Sequence, residues 1–65
     1  MVFDYVAAAK RAGIGPEDLD RLVALIRAEF PRDEMMVELH VLRTVQAMER
    51  GDVTLSDVLR PRAVA

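Results

Sequence analysis

His40 is the chain's single histidine and the side chain with an ordinary pKa nearest neutrality, so it is the first candidate for general acid–base work. Catalysis of that kind needs a nucleophile and an orienting group within reach. At helical spacing from His40 there is no serine or cysteine, and no carboxylate stands one turn away. Placed on a helix, His40 falls on the wet side, one turn before Arg43 and Thr44. It reads as a partly exposed or interface-packed histidine. A lone histidine in a chain without cysteine also falls short of a zinc ligand set.

Glu34 and Glu38 stand four residues apart with Asp33 beside them. Helical carboxylates do bind paired metals, but in Glu-x-x-His arrangements from facing helices, and no such motif occurs here. These acids are instead expected to complement a helix dipole in the first turns. Arg60-Pro61-Arg62 offers two positive charges near the C-terminus and reads as a solubilising tail. Gly13, Gly15 and Gly51 are too far dispersed for a phosphate-cradling loop and suit helix ends. The expectation is a non-enzymatic protein with no catalytic, cofactor or metal residue.

One spacing resembles a nucleic-acid-binding element. Ala9, Ala12, Gly13, Ile14, Leu19 and Leu22 match the core positions of a helix-turn-helix over residues 9–22. The resemblance implies a small DNA-associated regulator or antitoxin-like protein as the alternative function. Any helix–helix corner with a glycine asks for the same small and apolar residues. The helix that would enter the groove opens Pro16-Glu17-Asp18-Leu19-Asp20, an acidic turn where phosphate contact needs cations or free N–H groups. No nucleic-acid partner is expected.

Whatever the function, 65 residues allow one domain. A chain this short buries only about 60% of its unfolded surface and usually needs a staple. Disulfides are excluded, and 52% hydrophobic content supplies material for oligomerisation. Nine basic and eleven acidic residues are interspersed, for a net charge of −2, without the clustered basic stripe of a nucleic-acid binder. The bias of eight Arg to one Lys fits a GC-rich bacterial genome. Leu22 to Ile26 is an apolar run of five, far below the roughly 20 that span a bilayer. Met1 leads straight into an aspartate-bearing segment without a signal-peptide pattern, so a cytoplasmic protein without a membrane partner is expected.

The punctuation predicts four helical segments within residues 1–60, with 61–65 a frayed tail. The first runs from about Val2 to Ala12, with Asp4 in its first turn, Lys10 and Arg11 in its last, and Gly13 as the left-handed terminator. The second opens at Gly15-Pro16, where a proline N–H would be unpaired anyway. Its core stripe is Leu19, Leu22, Val23, Ile26 and Phe30, its wet side pairs Glu17 with Arg21, and Pro31 stops it. The third runs from Glu34 to Arg50, capped by Asp33 and closed by Gly51. The fourth is short, with Thr54 and Asp57 forming a capping-box variant and Pro61 ending it.

The third helix has more apolar surface than a lone small domain requires. Met35, Leu39 and Leu42 make one stripe; Val37, Val41, Val45 and Met48 make another roughly 130° away. Exposing three or four such side chains forgoes about 5–10 kcal/mol. The expected fold is therefore an all-α small bundle of three main helices plus a short C-terminal helix, assembled as a homodimer or higher oligomer. Val37, Val41, Val45 and Met48 are expected at the subunit contact. The expected core is Phe3, Val6, Ile14, Leu19, Leu22, Val23, Ile26, Phe30, Met35, Leu39, Leu42, Val45, Val53, Leu55, Val58 and Leu59. The functional expectation is a helical interaction module that self-associates and binds another protein.

Overall fold

The computed structural model of the chain describes residues 3–59. The Arg60-Pro61-Arg62 segment and the rest of the tail lie outside the described residues. Four helices, with no strand among the described residues, follow in order: α1 (Tyr5–Arg11), α2 (Pro16–Glu29), α3 (Glu34–Arg50) and α4 (Leu55–Leu59). Both α1 and α2 pack on α3, and α4 closes against α2. The Cα radius of gyration is 11.4 Å.

Each boundary has a local cause. Asp4 accepts from the Ala7 N–H at 3.1 Å and so sits at the N-cap, outside α1. This shortens the expected first helix: its side chain satisfies one of the N–H groups a helix start leaves unpaired, and the helix begins at Tyr5. At the other end Gly13 takes φ +75°. The Gly13 N–H donates to Lys10 O and the Ile14 N–H to Ala9 O, the paired bonds of a Schellman motif. Gly51, with φ +81°, ends α3 in the same way: its N–H donates to Met48 O, and that of Asp52 to Ala47 O.

Pro16 occupies the first turn of α2 and Phe30-Pro31 ends it. Asp33 caps α3 through the Met36 N–H at 3.1 Å. In α4 the reciprocal bonds of the capping box are both present: the Asp57 N–H donates to Thr54 Oγ1 at 3.2 Å, and the Thr54 N–H to Asp57 Oδ2 at 3.3 Å.

The core is narrower than the expected list, and differently composed. Its buried apolar members are Ala8, Ala9, Leu19, Leu22, Val37, Val41 and Val45. Ile14, Val23, Ile26, Phe30, Leu42, Val58 and Leu59 pack half-buried around it. Val6 and Met35, both expected inside, are exposed. The physical reason lies in α1: Ala8 and Ala9 carry a single methyl each, so α1 closes on α3 and covers the valine stripe. Val6 on α1 and Met35 at the start of α3 fall outside that contact. Of the ion pairs, Glu17–Arg21 does not form among the described residues; Arg27 instead bridges to Glu34 at 2.6 Å, linking α2 to α3.

Candidate functional site: the outer face of α2 and its groove

The surface placed at the expected subunit contact is interior. Val37, Val41 and Val45 are each 0% exposed within the single chain, and Met48 packs half-buried against the same cluster. Side chains with no accessible surface have nothing to offer a second copy, so the contact expected at Val37, Val41 and Val45 is corrected, while Met48 keeps part of its surface. The stripe is turned toward α1 and α2, and the Leu39–Leu42 side is the one left half-buried.

Among the described residues the large hydrophobic side chains left exposed are Val6 on α1, Leu25 on α2 and Met35 on α3, and Leu25 is the one that borders a hollow. The core stripe of α2 points at α3, while Arg21, Ala24, Leu25 and Ala28 lie about 120–180° around the helix from that stripe. All four are exposed, and Leu25 keeps 49% of its surface. Together with Leu59 of α4 they line a shallow hollow. It continues into an open groove of about 960 Å³ between α2, α3 and α4. Leu22, Leu25, Ile26 and Ala28 form one wall, His40, Thr44 and Ala47 the other, and Val53, Val58 and Leu59 the end. Glu29, Arg43 and Asp57 stand among the lining residues as its charged groups.

His40 is half-buried at this groove rather than on a wet face. Its ring lies 4.6 Å from that of Phe30, tilted by 36°. Phe30 reaches it because Pro31 stops α2 and the chain reverses there into α3. The His40 Nδ1 sits 2.8 Å from Met36 O. A carbonyl only accepts, so in that bond Nδ1 carries the hydrogen and Nε2 is left as the acceptor of the neutral ring. Thr44 Oγ1 donates at 2.8 Å to His40 O, which commits the neighbouring hydroxyl hydrogen to the backbone rather than to the imidazole. The arrangement fixes the ring as a packed wall of the groove and joins it to no nucleophile.

The carboxylate pair also separates. Glu34 faces Arg27, whereas Glu38 is buried at 8% exposure and accepts from the Phe3 N–H at 3.3 Å. Glu38 thus ties the segment before α1 to the middle of α3, a role its i,i+4 relation to Glu34 does not reveal. Among the described residues no cluster of three or more His, Cys, Asp or Glu is placed to hold a metal ion. Among them, too, no helix is long and apolar enough to cross a membrane.

Leu25 is hard to single out in the sequence because it sits inside the run Leu22–Ile26, whose members Leu22, Val23 and Ile26 serve the core. The signal was its angular offset from the Leu19–Phe30 stripe, with Ala24 and Ala28 beside it. No protein-family model, curated protein or solved structure matches the chain.

Proposed function

We propose that the chain is a non-enzymatic helical interaction module that acts through the outer face of α2 and the groove beside it. The observation that carries this reading is Leu25, half-exposed beside Ala24 and Ala28 at the mouth of an apolar groove. A long aliphatic side chain flanked by two methyl-sized neighbours is a projection beside a flat track. An apolar helix or strand can lie along it with close backbone approach, and burying Leu25 removes apolar area from water. Phe30 packs against His40 of the opposite wall, and a wall packed before binding has less to order when a partner arrives.

The test is affinity capture from the native cell with two baits, the wild-type chain and Leu25→Glu. Proteins retained by the first and lost from the second are the expected result. A bait whose retained set is empty, or unchanged by Leu25→Glu, removes α2 as the interaction surface.

A further inference from the structure

We propose that the occupant of the α2 face is the same face of a second copy, with the two α2 helices running antiparallel about a two-fold axis beside Leu25. This deepens the interaction-module reading and rests on it. Three features of one helix point to it.

The first is shape. Leu25 projects from the face, and the hollow beside it is lined by Ala24, Ala28 and Leu59. Projection and hollow on one surface are self-complementary, which a two-fold contact requires, because each copy presents the same patch to the other. The second is the small-residue flank. Ala24 and Ala28 are exposed together along one side of Leu25, away from the core stripe, and methyl side chains let two helix backbones approach closely.

The third is charge, and it sets the direction. Arg21 stands one turn before Leu25 and Glu29 one turn after it, both exposed. In an antiparallel pairing centred on Leu25, Arg21 of each copy lies level with Glu29 of the other. The series base, Leu25, acid at four-residue spacing on α2 is thus complementary to its own reverse. A parallel pairing sets Arg21 beside Arg21 and Glu29 beside Glu29, where like charges repel. Glu29 already has a polar interaction within its own chain, and a carboxylate has lone pairs for a second partner.

Sedimentation equilibrium of the full chain over a wide concentration range tests the pairing. A monomer–dimer equilibrium is expected, abolished by Leu25→Glu, which sets two carboxylates together at the axis. Arg21→Glu alone should weaken the dimer about tenfold, since it reverses two symmetric contacts. Adding Glu29→Arg to it should restore the affinity to within about threefold. The chain has no cysteine, so Leu25→Cys introduces a single thiol that meets its own copy at the axis. It should oxidise to a covalent dimer well before Gln46→Cys on the exposed side of α3.

A wild-type chain that stays monomeric at every concentration overturns the pairing. So does a dimer indifferent to Leu25→Glu, or a charge-swapped double variant no tighter than Arg21→Glu. Failure here leaves the capture experiment unaffected: a monomer that retains Leu25-dependent partners refutes the homodimer and keeps the interaction module.

Discussion

On α3, Val37, Val41 and Val45 have no exposed surface, while on α2 Leu25 keeps 49% of its own. The sequence pattern pointed the other way, with surplus apolar residues on the third helix and a single amphipathic stripe on the second. The difference comes from what faces each helix. α3 has α1 on one side and α2 on the other, so both flanks of its valine stripe are covered. Among the described residues, the Arg21–Leu25–Ala28 face of α2 is bordered by the short α4 through Leu59. How much apolar surface a helix has and how much of it is left over are separate quantities. The second depends on the neighbours' thickness, which hydrophobic periodicity does not record.

The strongest way to break this comparison is Val41→Glu. If the valine stripe belongs to the monomer's core, a carboxylate there is buried without a partner. The chain should lose more than about 3 kcal/mol, much of the stability of a small domain. Circular dichroism at helical wavelengths should show a largely unfolded chain at low and high protein concentration alike. A well-folded Val41→Glu monomer returns the stripe to the surface and makes it an interface after all.

What was legible in the sequence was local. Pro16, Asp33, Gly13, Gly51 and the Thr54–Asp57 pair each act within four residues of themselves, so the limits of α2 and α3 and the cap of α4 followed from spacing alone. Asp4 was ambiguous, because an acid in the first turn and an acid at the N-cap both favour the helix start. The orientation of α3 was not legible, since it depends on Ala8 and Ala9 of α1 being small enough to admit it. Alanines count weakly in a hydrophobic pattern, and here they are among the most buried residues of the chain. The groove was hidden for the same reason. His40 looked wet on its own helix, and only the reversal at Phe30-Pro31 brings a ring against it.

Ala8→Leu sharpens the point about thickness. Ala8 is 0% exposed in the same cluster as the valines. Three further carbons must push α1 from α3 or take a strained rotamer, at a cost of about 1–3 kcal/mol. Urea unfolding should report the loss. An unchanged or raised midpoint means that α1 stands off from α3 and that something else covers the stripe.

α1 is held in that position by its packing on α3, and the α1–α2 corner connects it to the next helix. Gly13 at φ +75° has no atom within 4 Å of where a Cβ would stand, and the same is true of Gly51 at φ +81°. Alanine at either site meets no clash, so its cost is left-handed backbone alone, about 1–2 kcal/mol. Thermal melts of Gly13→Ala and Gly51→Ala should move by similar amounts. A much larger effect at Gly13 would mean that the corner, beyond its own strain, governs the α1–α3 contact.

Leu25→Glu belongs at the small end of the scale when stability is measured below the dimerisation range. The glutamate stem covers part of what Leu25 covered, and both residues are good helix formers. Its charge sits one turn from Arg21 and one turn from Glu29, so the favourable and unfavourable pairs nearly cancel. A change under about 1 kcal/mol is expected. Loss of several kcal/mol would make Leu25 a core residue and close the contrast with Val41.

The smallest expected effect is the addition of duplex DNA. The corner spanning Ala9 to Leu22 ends α1 on a left-handed glycine, as a helix-turn-helix turn also does, with the Ile14 N–H bonded back to Ala9 O. Geometry alone does not make it a reader of nucleic acid. The α2 turn that would meet the backbone carries Glu17 and Asp18, with Asp20 following; Glu17 and Asp20 are exposed and Asp18 is half-buried. Those acids lie where phosphates would have to come, and releasing counterions requires cations in their place. Arg21 is the first basic residue of α2, and Arg27, further along, is engaged with Glu34. Fluorescence anisotropy of a labelled duplex near physiological salt should therefore stay flat at micromolar protein. A salt-sensitive rise, lost on reversing Arg21 or Arg27, would assign the face of α2 to nucleic acid instead of protein.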